Sequence, residues 1–151
     1  MIIAIGSDHA GYELKVRLLD QIRALGHEVI DFGSYNPDPV DFPDIAKLIC
    51  RSILSGESQR GIMFCGTGVG AAIACNKIKG IRASVCHDVH SAHQSVEHDD
   101  VNVMALGHQI IGHVVAIELI ELFLNATFST NPDFRRRVEK LDLLEQEFSN
   151  S

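Results

Sequence analysis

Basic residues are scarce in this chain. Thirteen Lys and Arg face twenty Asp and Glu, for a net charge of −7 over 151 residues. That balance excludes a broad nucleic-acid surface, which needs a basic face. A small anionic ligand would need a local positive pocket, and the only dense basic cluster is Arg135-Arg136-Arg137. No apolar run is long enough to span a bilayer, so no membrane partner is expected. The opening Met1-Ile2-Ile3-Ala4-Ile5 has no basic region and soon reaches Gly6-Ser7-Asp8-His9. It reads as a first strand and not as a secretory signal. The four cysteines, Cys50, Cys65, Cys75 and Cys86, form no CxxC pair and read as reduced thiols of a cytoplasmic protein. Low-complexity stretches, Pro/Gly linkers and internal repeats are also missing, so residues 1–151 are expected to form one domain.

What the chain does contain is a regular alternation of short apolar runs and longer amphipathic ones. Strands are expected at Ile2–Gly6, Glu28–Phe32, Gly61–Phe64, Arg82–Cys86 and Val101–Leu106. Helices are expected at Tyr12–Leu25, Phe42–Leu54, Gly68–Lys77, His90–His98 and Ile110–Phe123. In the first of these, Leu14, Leu18, Ile22 and Leu25 fall at helical spacing with Gly26 just beyond. Asn131-Pro132 supplies a cap and a first-turn proline for a last, charged helix through about Glu147. Strand–helix alternation implies a three-layer α/β fold with a five-stranded parallel sheet. Ligands of such sheets bind beyond the carboxyl ends of the strands. That edge receives Asp8-His9, Cys65–Gly70 and His87-Asp88, whereas His98-Asp99, before the fifth strand, falls at the opposite edge.

The hexapeptide Cys65-Gly66-Thr67-Gly68-Val69-Gly70 joins the third strand to a helix start. Its glycines let backbone N–H groups approach a ligand, and the helix N-terminus adds positive potential at the same point. It is not the dinucleotide fingerprint, because the third glycine comes one place early. Nor is it a P-loop, lacking Gly-Lys-Ser/Thr, or a cysteine-phosphatase loop, since Ala71 stands where an arginine is needed. A tight turn with a buried cysteine is the plainer reading. Asp8 suits an acid/base or a sugar-hydroxyl ligand, but Ser7 or Asp8 equally suits capping of the helix that follows. His87, His90, His93 and His98 form a loose cluster that matches no strong metal motif. His98 fits a general acid/base or a surface histidine. The three arginines fit phosphate binding, or a solvated helix face paired with Glu139, Asp142 and Glu145.

Together these residues resemble one family. Gly6-Ser7-Asp8-His9-Ala10-Gly11, Val29-Ile30-Asp31-Phe32-Gly33, the Cys65–Gly70 loop, Asn76-Lys77, Gly80-Ile81-Arg82-Ala83 and Asn102-Val103 are similar to the ribose-5-phosphate isomerase B/galactose-6-phosphate isomerase family, from residue 1 to about 140. The resemblance implies a Rossmann-like αβα fold, a C-terminal helix used in dimerisation, and a homodimer or tetramer whose sites are shared between subunits. It implies no metal and no cofactor. It makes Cys65 the base that moves a proton between C1 and C2 of the open-chain sugar. The amides of Gly66, Gly68, Val69 and Gly70 hold the enediolate oxygen, an oxyanion-hole role. Thr67 and His98 assist ring opening, with His98 donated by the partner. Asp8 binds the ring oxygen or a hydroxyl, while His9 and Arg137 meet the phosphate. Three positions depart from the family pattern. Asp99 stands where Asn is usual, Asp133 where a phosphate arginine is usual, and Gln109 where another is common. Asp99 sits beside the substrate but cannot donate a hydrogen bond when ionised. Arg136 or Arg135 is placed to compensate for the lost arginines.

The expected reaction is interconversion of D-ribose 5-phosphate and D-ribulose 5-phosphate. The departures keep allose 6-phosphate, galactose 6-phosphate and a tetrose phosphate open as substrates. A binding module that holds a sugar phosphate without chemistry is the other class, although pure binding needs neither Cys65 nor His98.

Overall fold

A computed structural model describes residues 1–149. Its elements run β1 (Ile2–Ser7), α1 (Tyr12–Ala24), β2 (Glu28–Asp31), α2 (Phe42–Leu54), β3 (Arg60–Cys65), α3 (Val69–Asn76), β4 (Ala83–Val85), α4 (Val89–Asp99), β5 (Val103–Gly107), α5 (His113–Asn125) and α6 (Pro132–Ser149). The five strands form one parallel sheet in the order β2-β1-β3-β5-β4. Alternation along each strand divides the core into two layers. Ile3, Ile5, Ile62, Phe64, Met104 and Leu106 face α1, α4 and α5. Ala4, Met63, Cys65, Val103 and Ala105 face α2 and α3. Cys65 therefore emerges on the α2–α3 side of the sheet, at the end of its central strand. Among the described residues, no helix is long and apolar enough to cross a membrane.

Every expected element is present, and the boundary differences have local causes. The helix expected from Ile110 begins at His113, because the Ile110 and Ile111 amides both turn back onto the Gly107 carbonyl. The fifth strand begins at Val103 and not Val101, because Asn102 serves as a bracket. Its carbonyl accepts the Gly61 amide, its Oδ1 accepts the Arg82 amide, and its Nδ2 donates to the Gly80 carbonyl. Asn131 caps α6 as expected, accepting the Asp133 amide at 2.9 Å. Lys15 is buried yet charged. Its ammonium meets Asp31 at 2.8 Å and donates to the Ser34 carbonyl, so the loop after β2 is tied to α1.

The last helix lies mostly in the open. Val138 is its one buried side chain among the described residues, and Leu141, Leu143, Leu144 and Phe148 are exposed. Polar contacts hold α6 to the amino edge of the sheet. Arg82 reaches Asp142 at 3.3 Å and Asp100 at 2.7 Å, and Glu145 accepts the Gly80 amide at 3.0 Å.

Candidate active site

The carboxyl edge is built by two close approaches that only glycine permits. A Cβ on Gly11 would lie 2.2 Å from the Phe64 carbonyl carbon and 2.5 Å from the Cys65 nitrogen, so the turn before α1 rests directly on the Phe64–Cys65 peptide. A Cβ on Gly107 would lie 2.6 Å from the Thr67 carbonyl carbon, so the end of β5 rests on the glycine loop. Asp8 and the Cys65 loop are thereby brought together. The Asp8 amide donates to the Phe64 carbonyl at 3.2 Å, and Asp8 Oδ1 accepts the Gly11 amide at 3.0 Å. Neither Ser7 nor Asp8 caps α1, contrary to that part of the sequence reading. Gly11 occupies the cap position, and Asp8 shapes the turn ahead of it.

Cys65 is 6% exposed, while Cys50, Cys75 and Cys86 are at 0%. It is the one thiol of the four with an opening to solvent. Burial pushes the Cys86 thiol up, so that residue is an inert core group. After Cys65 the loop turns through Gly68, whose φ of 82° is the left-handed conformation that starts α3. Thr67 is exposed, and its Oγ1 accepts the Val69 amide at 3.3 Å. The segment after β5 lies over the loop, with the His108 amide on the Cys65 carbonyl at 2.9 Å and the Gln109 amide on the Gly66 carbonyl at 3.0 Å. The Gln109 carboxamide also packs against Gly66. His9 is exposed, and its Nδ1 accepts the Val40 amide at 3.3 Å. Thiol, carboxylate, hydroxyl and imidazole thus share one rim with a run of flexible-backbone amides. That set can bind a polyhydroxylated anion and move a proton on it.

His98, Asp99, Arg136 and Arg137 lie elsewhere. His98 and Asp99 form the last turn of α4, which runs back from the carboxyl edge and ends beside Asn102 at the amino edge. The His98 ring stacks on Phe134 of α6 with centroids 3.8 Å apart. Arg137 lies over the same Phe134 ring at 5.8 Å. The three arginines do not form the expected face paired to Glu139, Asp142 and Glu145. Asp142 and Glu145 are engaged by Arg82 and Gly80, Arg136 pairs with Asp133 at 2.7 Å, and Arg135 donates to the Ser129 carbonyl. Among the described residues, Arg136 is the one arginine of this cluster with an acidic partner, while Arg135 lies over the Phe128 ring at 4.5 Å and Arg137 over Phe134.

A cavity of about 370 Å³ between the start of β4 and α6 takes in Asp99, Arg82 and Asp142 but none of Asp8, Cys65 or Thr67. An apolar groove of about 500 Å³ runs between α2 and α3 along Phe42, Ile73 and Ile78. His90 and His93 meet edge to face at 5.4 Å, and His93 pairs with Glu97 at 3.1 Å. No set of three potential metal ligands converges among the described residues.

Two further side chains touch these candidates or the backbone that packs on them. Phe134 carries no sequence signal, because a lone aromatic in a charged helix looks like any other. The sequence puts His87 at the carboxyl edge and in a loose histidine cluster but gives it no role. Its Nε2 accepts the Gly107 amide at 2.9 Å, and burial pushes its pKa down against a smaller opposing effect of Asp88.

Comparison with known proteins gives consistent matches across the whole length. The family model for ribose/galactose isomerases matches residues 3–141. Ribose-5-P isomerase B of Listeria innocua is 39% identical over 146 residues, covering 97% of this chain and 96% of that protein. D-erythrulose-4-phosphate isomerase of Pectobacterium atrosepticum is also 39% identical, with 96% of this chain and 95% of that protein covered. The solved structure of Clostridium thermocellum ribose-5-phosphate isomerase B superposes with a TM-score of 0.94 at 42% identity, covering 98% and 99% of the two chains.

Proposed function

This chain belongs to the ribose/galactose isomerase family, and we propose that it interconverts D-ribose 5-phosphate and D-ribulose 5-phosphate. It is an aldose–ketose isomerase by that membership, and the choice of sugar is the part proposed. The observation that carries the reading is the contact of the Asp8 turn and the glycine loop around Cys65, the one cysteine of four with an opening to solvent.

In the proposed reaction, Asp8 and Thr67 engage the sugar ring, and His98 assists transfer of the proton that opens it. Cys65 then takes the C2 proton of the aldose and returns it to C1. The electron pair left behind forms an enediolate whose oxygen is held by the amides of Gly66, Gly68, Val69 and Gly70. His9 and Arg137 hold the phosphate. No redox partner enters, since one carbon is oxidised as its neighbour is reduced.

His98, Asp99, Arg136 and Arg137 reach such a site only from a second subunit, because α4 ends at the amino edge of its own sheet. The exposed Leu141, Leu143, Leu144 and Phe148 of α6 support a homodimer, or a tetramer of paired dimers, built through this helix. Asp133 and Gln109, standing where arginines are usual, leave a smaller phosphate clamp around Arg137. That favours a small sugar phosphate and keeps a tetrose phosphate as the nearest second reading, in line with the Pectobacterium relative.

Turnover of ribose 5-phosphate, erythrulose 4-phosphate, allose 6-phosphate and galactose 6-phosphate separates these readings. The highest kcat/KM is expected on ribose 5-phosphate. A higher value on another sugar reassigns the substrate, and binding without exchange of the C2 hydrogen in D₂O points to the non-catalytic module.

A further inference from the structure

We infer that His87 is a positioning residue for the glycine loop, acting as a neutral hydrogen-bond acceptor that fixes Gly107 beneath Cys65 and Thr67. The inference rests on the reading of Cys65 and Thr67 as site residues. Its geometry is independent of which sugar is bound.

A regular parallel sheet would offer the Gly107 amide a carbonyl from the neighbouring strand. Here β4 stops at Val85, whose partner on β5 is Ala105, so the ladder runs out before Gly107. The imidazole of His87 takes the carbonyl's place and receives the amide at 2.9 Å. A backbone N–H can only donate, so Nε2 must present its lone pair and the ring proton must sit on Nδ1. Protonation at Nε2 would turn the acceptor into a donor facing another donor. The buried Gly107 amide would then have no partner, which is unfavourable.

Gly107 is the point at which this matters. It is the strand partner of Cys65 across β3 and β5. It has no Cβ because the Thr67 backbone occupies that space, and the next amide, His108, holds the Cys65 carbonyl. His87 itself is held from both sides. The Cys86 amide donates to the Ala105 carbonyl at 3.4 Å, and Asp88 caps α4 by accepting the Ser91 amide at 2.8 Å. A fixed imidazole therefore orients a peptide on which both the thiol strand and the threonine loop rest.

The titratable groups around the ring are few. Asp88 is the charged group that acts on it, opposing the effect of burial, and the Cys86 thiol just before it turns to the Ser84 and Ser91 carbonyls. His108, in the connection after β5, is drawn towards Glu13 at 3.6 Å.

The test combines a spectroscopic and a kinetic measurement on the full chain. Ring ¹⁵N spectra of the wild type should show the Nδ1–H form, and the Gly107 and Thr67 amide signals should shift together as His87 is titrated with acid. In His87→Gln, whose carboxamide oxygen replaces Nε2 without titrating, that step should vanish. On the best substrate of the sugar panel, His87→Ala should lower kcat about tenfold, the size expected for one lost hydrogen bond, with KM within about twofold. His87→Gln should recover most of the loss and should be less sensitive to acid than the wild type. A Thr67 amide that ignores the titration of His87 overturns the inference, as does a folded His87→Ala protein with wild-type kcat and pH profile. If the wild type turns over no sugar phosphate, the function reading fails and the spectra alone decide the role of His87.

Discussion

His98 and Phe134 lie ring on ring, with centroids 3.8 Å apart and planes 17° apart, and Arg137 covers the same phenyl ring at 5.8 Å. One aromatic side chain thus holds a proton-transfer candidate and an anion-binding candidate in a fixed relation, and α6 carries two of the three. Removing the ring frees both neighbours. In Phe134→Ala, kcat is expected to fall several-fold as His98 loses its orientation, and KM to rise as Arg137 loses its platform. Stability should drop by about 1 kcal/mol, the usual worth of an aromatic pair. Phe134→Tyr should behave like the wild type. Steady-state kinetics beside a urea titration would check this, and an Ala variant that loses stability alone would reduce Phe134 to a packing residue.

Gly11 tests the contact that joins Asp8 to Cys65. An added methyl would meet the Phe64 carbonyl carbon at 2.2 Å and its oxygen at 2.4 Å, and backbone cannot yield as a flexible side chain would. Gly11→Ala should cost about 3 kcal/mol, the upper part of the range for overpacking, and should abolish turnover even where the protein remains folded. Gly112→Ala is the control, since nothing lies within 4 Å of its added Cβ. Thermal unfolding of the two variants should place Gly11→Ala far below the wild type and Gly112→Ala close to it.

Acid should weaken the fold through two histidines whose pKa values burial pushes below the ordinary 6.5, His87 and His27, the latter also opposed by the N-terminal ammonium. A depressed histidine favours proton uptake by the unfolded chain. Stability from these groups is therefore complete above about pH 6.5 and is lost as pH falls through their native values. Urea midpoints of wild type and His87→Gln at pH 7.5 and 5.5 isolate one contribution. The wild type should lose more on acidification than the variant does, and an equal loss in both would contradict the direction assigned to His87.

Much of this molecule could be read from its residues, and what could not has a physical cause. Strand and helix order followed from short apolar runs such as Ile2–Ile5 alternating with longer amphipathic ones, because strands buried on both faces read as continuous apolar runs. The turn at Cys65–Gly70 was legible because glycines just before a helix start mark a tight strand-to-helix connection. The partners of charged residues were not legible. Asp142 and Glu145 stand at helical spacing from the arginines, yet tertiary contacts draw them to Arg82 and Gly80 across the edge of the sheet. The edge at which His87 lies was legible, but its hydrogen bond to Gly107 was hidden for a similar reason. Its role depends on β4 stopping two residues before it, and strand ends are set by pairing and not by composition.

The position of His98 at the amino edge, away from Cys65, makes the shared site the central claim, and subunit mixing tests it most directly. Cys65→Ala and His98→Ala proteins are each expected to be nearly inactive on ribose 5-phosphate. After exchange of subunits, each mixed dimer would join an intact Cys65 to an intact His98 at one of its two sites. Random mixing makes about half the dimers mixed, so about a quarter of the wild-type activity should return. No return of activity, with exchange confirmed by native mass spectrometry, would contradict a site shared between two copies of the chain.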